Sequence, residues 1–400
     1  MISVAEAETI ILNHAPLLPA DKVPLEQATG RILREPLVAD RSSPPFDRVC
    51  MDGIAIRYAD YDAGMRSFVL QGIQKAGEQP LTLDAGRAIE IMTGAVLPEG
   101  ADTIIQVEQL NVQNNTATLQ QDTKVKAGQN IHIMGSDHQA GAILLSAGVR
   151  MTAPRIAIAA SVGMAEIAVT RQVKAAVLAT GDELVPVSAT PQPWQIRRSN
   201  SHAIAASLVQ AGCAIIQHEH IVDDLAALQS AMERALAGAD LVVISGSISA
   251  GKFDFVEQAL AASGVTRHLY KVAQRPGKPM AFGTKGQTAL FALPGNPVSA
   301  VACLHRYVVP WLAKVTGDNA AQQPMHAKLM EPFRFGKKLT FFLPVAAVSH
   351  QDNASLYAMP LPTNGSGDWA TIGKATGIVE IPAEYDDVSK GKTLRYFPYL

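Results

Sequence analysis

The chain has 400 residues and a mass of 42.5 kDa, and at roughly 100–200 residues per domain this calls for two to four domains. With 48% hydrophobic and 18% charged residues it has a globular composition, which excludes disordered, collagenous and coiled-coil classes. Thirty-four basic against thirty-six acidic side chains leave a net charge of −2, so no global field draws the chain to nucleic acid or to an anionic membrane.

The N-terminal stretch MISVAEAETIILNHAP has no basic region before its apolar residues, and it does not read as an export signal. Residues 1–40 suggest two helices, AEAETIILNHA and PLEQATGRILRE. The stretch from about 45 to 140 is rich in loops with short alternating runs, and VRMTAPRIAIAASVG (149–163) reads as a return segment with a helix. No apolar run approaches the roughly 20 residues that cross a bilayer. Cys50, Cys213 and Cys303 are distant from one another and form no CxxC, so a reducing cytoplasm is expected and a thiolate metal site is not.

From about Val173 to Gly317, β-rich runs alternate with amphipathic helical patterns. VKAAVLATG is a buried strand, and SNSHAIAASLVQAG a helix that Ser199 or Asn200 can cap. CAIIQHEHIV is the next strand. DDLAALQSAMERALAG follows as a helix behind an aspartate cap, then the strand ADLVVISG and the helix of FDFVEQALAASG. HLYKV, KPMAFG and TALFALPG add strands before one long helix, NPVSAVACLHRYVVPWLAKVTG. This alternation predicts a doubly wound, mostly parallel α/β sheet, whose ligands sit beyond the carboxyl ends of its strands. From about 325 to 400, LTFFLPVAAV, SLYAMPL and ATGIVEIP suggest a small β-barrel.

The strand-end loops are therefore the candidate site: TGDEL (180–184), SGSISAGKFD (245–254), RPGKP (275–279) and LPGNP (293–297). Glycine allows close backbone approach, and helix starts present N–H groups to anions. The carboxylates of TGDEL suit metal binding, proton transfer or a turn cap. RPGKP offers a lysine to an oxyanion or is simply a rigid turn. In LPGNP, Asn296 can cap a helix that begins at Pro297. Gly246 to Lys252 fits the opening of a P-loop, but Phe253 stands where the magnesium-binding hydroxyl belongs, so a cradle for some other phosphate is the better reading.

In order and spacing these loops resemble the molybdopterin molybdenumtransferases, of the MoeA and gephyrin E-domain type. PPFDRVCMDGIAIR (44–57), IMTGAVLPEGADTIIQVE (91–108) and AGQNIHIMGSDHQAGAILLSAG (127–148) are similar to that family's MDG, MTGA and GxD blocks, followed by TGDEL, the SN of IRRSN, SGSISAGKFDF and PGKP…LPGNPVSA. The resemblance implies a discontinuous elongated helical domain I (1–44 and 140–172), an inserted β-rich domain II (45–139), a MoCF/MogA-like α/β domain III (173–320) and a C-terminal small β-barrel (325–400). It implies transfer of molybdenum from molybdate to adenylylated molybdopterin with release of AMP, assisted by Mg2+. A homodimer with a site shared between subunits is implied too, as is contact with the adenylyltransferase that supplies the substrate.

Carried over by position, Asp52, Glu183 and Lys278 would be catalytic. Thr93, Asp137, Thr180, Gly181, Asp182, Ser199, Asn200, Ser245, Gly246, Ser249, Gly251, Arg275, Pro294, Gly295, Asn296 and Pro297 would bind substrate, and Asp224 and Asp254 would hold Mg2+. The chain departs from the family pattern at Arg48, Val49, Cys50, Ser247, Lys252 and Arg275. A divergent paralogue that only carries molybdopterin is thus the alternative, with a P-loop nucleotidase behind it.

Overall fold

The computed structural model describes residues 1–246, 255–349, 355–365 and 367–399. Two compact units emerge, one of Pro36–Ser146 with Ala157–Ala165, the other of Met1–Glu35, Ala147–Ile156 and Glu166–Leu400.

The smaller unit is built on a six-stranded sheet in the order Thr103–Gln106, Gly53–Ile56, Arg87–Ile91, Ser67–Gln74, Thr116–Leu119, Leu110–Gln113. Its last hairpin turns on Asn114 and Asn115, both at positive φ (51° and 60°), a backbone that Asn tolerates and that matches the twist of paired strands. Ile54, Ile56, Phe68, Ala88 and Ile105 pack on one face, and Ala55, Ile89, Ile91 and Ile104 on the other.

The larger unit holds the sheet that the alternation predicts. Its order is Ala214–Ile221, Lys174–Thr180, Leu241–Ser245, Thr288–Leu293, Ala281–Lys285, Thr266–Tyr270. The first four strands are parallel, Ala281–Lys285 runs against them, and Thr266–Tyr270, antiparallel to Ala281–Lys285, runs with them again. Apolar residues run continuously along the central strands because both faces are covered. Ala175, Val177, Leu241, Val243 and Phe291 pack toward Val4–Asn13, Asn200–Gln210 and the helical run from Pro297. Their neighbours Ala176, Leu178, Val242, Ile244 and Leu290 pack toward Leu225–Gly238 and Phe255–Ala262. Asp224 caps Leu225–Gly238 by accepting from Ala227 N.

Two expectations need correction. The second N-terminal helix is only the 3-10 turn Leu25–Gln27. Gly30 reverses the chain at φ 79°, and Ile32 and Leu33 then satisfy their backbone in bridges to Arg150 and Val169. The long helix is interrupted: a π segment, Leu304–Val308, separates Pro297–Cys303 from Val309–Thr316. Pro310 accounts for it, since its ring removes an N–H and crowds the carbonyl four residues back. RPGKP comes after Thr266–Tyr270, as a strand-end loop should, because that strand is antiparallel to Ala281–Lys285 and so runs in the direction of the parallel strands. It leads into antiparallel Ala281–Lys285, whose Ala281 pairs with Ala292 near the end of Thr288–Leu293, so the loop lies at the carboxyl edge of the parallel strands.

The C-terminal segment closes into a barrel. Thr340–Ser349 pairs with both Leu356–Pro360 and Gly377–Ile381, and Met325–Leu329 and Thr393–Pro398 complete the ring. Gln274–Arg275 adds a short parallel strand to Thr340–Phe341 and so connects RPGKP to the barrel.

Candidate functional site

Thr180, Ser245 and Leu293 end three neighbouring parallel strands, and the loops after them converge. Gly246 lies so close beneath Thr180 that a Cβ there would meet Thr180 O at 2.3 Å. At Gly181 a Cβ would meet Glu183 Oε2 at 2.6 Å, and both glycines have positive φ. Glycine is required at Gly246 because the two loops touch there through backbone, and at Gly181 because of its positive φ.

Neither expected side-chain cap forms on Asn200–Gln210. Asn200 Nδ2 instead donates to Gly295 O at 2.7 Å and to Ser245 Oγ at 3.3 Å, holding three site loops together. Ser199 Oγ accepts from Trp369 Nε1 at 3.0 Å. Asn296 also makes no side-chain cap, and Pro297 begins its helix as expected. Asp182 Oδ1 accepts from Asp223 N at 3.0 Å, which draws the TGDEL loop beside the Asp223–Asp224 turn, and His220 Nε2 lies 2.8 Å from Gly181 O.

A small cavity of about 60 Å3 lies among these loops, lined by Thr180, Glu183, Arg198, Asn200, Ser201, Ser245, Gly246 and Gly295 among others. A larger one of about 660 Å3 lies between the RPGKP loop and the barrel. Arg275, Lys278, Pro294, Asn296 and Lys337 line it together with Phe335 and Phe341. The RPGKP loop is anchored from inside by Gln274, which is fully buried. Its Nε2 donates to Gly277 O at 2.8 Å, and its Oε1 accepts from Tyr307 Oη. Burial pushes the Cys303 thiol beside it up to about 12, so that sulfur is packing rather than a nucleophile.

Asp52, Thr93 and Asp137 belong to the smaller unit. Asp52 Oδ1 accepts from Thr93 N at 2.6 Å and from Thr93 Oγ1 at 2.8 Å, and these bonds hold its carboxyl below the usual range. Gly53 is dictated by packing, because a Cβ would lie 1.9 Å from Ile105 O. Asp137 is tied to a residue the motifs did not flag. His132 Nε2 lies 2.9 Å from its Oδ1, and Arg48 Nη2 lies 2.9 Å from His132 Nδ1. Since the guanidinium only donates, Nδ1 accepts and Nε2–H points to Asp137. Arg48, a departure from the family pattern, thereby orients an expected site residue.

Ser249, Gly251 and Asp254, with Ser247 and Lys252, lie outside the described residues. Arg198 and Ser201 line the small cavity and were not singled out from the sequence, although they flank the SN pair. Among the described residues no three His, Cys, Asp or Glu side chains gather as a metal cage, and Asp224 Oδ1 is committed to its cap.

Comparison with known proteins agrees with this architecture throughout. Residues 2–163 match the family described as MoeA N-terminal region (domain I and II), 176–314 the probable molybdopterin binding domain, and 326–399 the MoeA C-terminal region (domain IV). A Synechocystis protein named molybdopterin molybdenumtransferase is 34% identical over 402 residues, covering 100% of both chains. The chain belongs to the molybdopterin molybdenumtransferase family. A Haemophilus influenzae member is 31% identical over 100% of this chain and 99% of its own. Two solved MoeA structures from Pyrococcus horikoshii each give a TM-score of 0.82, at 28% and 24% identity, covering 100% of this chain and 99% and 100% of theirs. The MoCF-type sheet domain and the C-terminal barrel are those of the MoeA fold. No described helix is long and apolar enough to cross a membrane.

Proposed function

We propose that this transferase of molybdenum cofactor biosynthesis takes adenylylated molybdopterin and molybdate, releases AMP and delivers molybdenum to the dithiolene sulfurs. The convergence of Thr180, Asn200, Ser245, Gly246 and Gly295 at the carboxyl ends of parallel strands carries this reading. Loops that approach through backbone suit a phosphorylated pterin. Lys278 and Arg275 face the larger cavity beside apolar and aromatic side chains, a setting for an oxyanion next to a planar ring. The molybdenum ligands come from the substrate's sulfurs, consistent with Cys213 and Cys303 being buried.

Glu183, exposed at the mouth of the small cavity, would take the proton of a water whose oxygen bonds to the adenylate phosphorus as the bridging P–O bond breaks, leaving AMP and the pterin phosphate. Lys278 neutralises charge on the leaving oxygen. The described carboxylates suit Mg2+ held by one or two side chains and completed by substrate phosphates, not an all-protein cage. Asp224, through its second oxygen, and Asp254 would be the protein ligands. Bound Mg2+ would supply charge neutralisation at the bridging phosphates. We assign domains at 1–44 with 140–172, 45–139, 173–320 and 325–400, a cytoplasmic location, a homodimer whose site is shared, and hand-over of substrate from the adenylyltransferase. The test is purified protein with adenylylated molybdopterin, molybdate and Mg2+. AMP release with active cofactor is expected; pterin binding without AMP release would favour the carrier reading.

A further inference from the structure

The larger cavity carries charge of one sign. Arg275, Lys278 and Lys337 line it, no aspartate or glutamate does, and none of the three cations makes an ion pair among the described residues. Its charge-complementary occupant is an anion. At about 660 Å3 it has the volume of a pocket for a whole organic ligand, which runs to roughly 300–1,000 Å3, so the anion can carry a ring.

The barrel side of the cavity is aromatic. Phe335, Lys337, Leu339 and Phe341, alternate residues of one segment, line it there. The Phe341 ring meets two others, stacking on Phe333 with centroids 5.4 Å apart at 17° and lying 4.3 Å from Phe335 at 31°. Phe333 and Phe341 also pack against the barrel core, whereas Phe335 is outside that cluster and only half-buried. Phe333 does not line the cavity, so the row of rings ends on the cavity side at Phe335. One exposed apolar side chain on a surface needs no explanation. A row of rings beside three unpaired cations is different, because it is the composition that binds a planar heterocycle bearing a phosphate.

We infer that Phe335, backed by Phe341, stacks with a fused nitrogen heterocycle of the substrate, while Lys337 holds a phosphate oxygen of the same molecule. The inference rests on the proposed reading, whose substrate carries two such rings, a purine and a pterin. Phe335 is then a specificity-determining residue that the barrel supplies, beyond those carried over by position from the family.

The test uses the full chain and titrates AMP, 6-hydroxymethylpterin and inorganic phosphate separately by calorimetry, alongside KM and kcat for adenylylated molybdopterin. Phe335→Leu keeps an apolar side chain and removes the π face. It is expected to raise KM with kcat little changed and to weaken one ring-bearing probe by about tenfold, while phosphate affinity and the unfolding midpoint hold. Phe335→Tyr keeps the face and should bind as wild type does. Loss confined to AMP places the purine on Phe335; loss confined to the pterin places the pterin there. Unchanged affinity for both with unchanged KM overturns the stacking, as does an equal loss in Phe335→Tyr or a loss of both probes with a lowered unfolding midpoint. Lys337→Met should raise KM and leave 6-hydroxymethylpterin, which has no phosphate, bound as before; an unchanged KM overturns the phosphate contact. Should wild-type protein release no AMP yet bind either ring through Phe335, the proposed reaction fails and the stacking site stands.

Discussion

Trp369 Nε1 donates to Ser199 Oγ at 3.0 Å, tying the short helix Trp369–Ile372 of the C-terminal domain to the residue that precedes Asn200–Gln210. Around the indole, Val298, Val301 and Ile372 form a small apolar cluster. The barrel domain thereby acts on the loop that carries Asn200. Trp369→Phe keeps the packing and deletes the donor, at a cost of about 0.5–1.5 kcal/mol. Pterin KM should rise about threefold to tenfold with kcat little changed, and the unfolding midpoint should fall slightly, measured by steady-state kinetics and calorimetry.

Gly53→Ala places a methyl 1.9 Å from Ile105 O, inside a strand paired on both sides. The sheet must shift to admit it, so a loss of about 1–3 kcal/mol or more is expected. Chemical denaturation of the variant measures this, and an unaltered midpoint would contradict the contact.

Thr93→Val removes one of the two hydrogen bonds that hold the Asp52 carboxyl below its ordinary range. The Asp52 pKa should move up toward the usual carboxylate value, as read by carboxyl NMR titration. The backbone N–H of residue 93 remains a donor, so the return should be partial.

Glu8 bonds Arg395 through Oε1 at 2.8 Å and Arg306 through Oε2 at 2.8 Å. Burial pushes its carboxyl up, but the bonds from Arg395 and Arg306 outweigh this and bring it to about 2. Its pKa is therefore lower folded than unfolded. The stability it contributes is present above the unfolded value of about 4.3 and is lost as pH falls toward 2. Glu8→Gln leaves Arg306, only 1% exposed, paired with Glu380 alone. The variant should lose about 3–5 kcal/mol at pH 7 and show a flatter acid-denaturation profile between pH 5 and 2.

Much of the site was legible because its signals are local. Continuous apolar runs such as LVVIS mark strands covered on both faces, and the glycine at 246 marks loops that meet through backbone. Where a local signal misled, a distant partner had outbid it. Ser199 and Asn200 read as helix caps, yet their side chains are taken by Trp369 and Gly295. PLEQATGRILRE read as a helix, but Ile32 and Leu33 found bridging partners near residues 150 and 169.

From the sequence alone came the alternation that makes the sheet, the loops at its carboxyl edge, the barrel strands and the family motifs. These rest on periodicity and on the backbone chemistry of glycine and proline, which act within a few residues. Tertiary structure alone decided which side chains share a space. Trp369 meets Ser199 across 170 positions, Arg306 meets Glu8 across 298, and Arg198 and Ser201 close on Thr180 and Ser245 only when parallel strands align. A residue's type states what it can donate or accept; which partner it reaches depends on which faces the fold buries together.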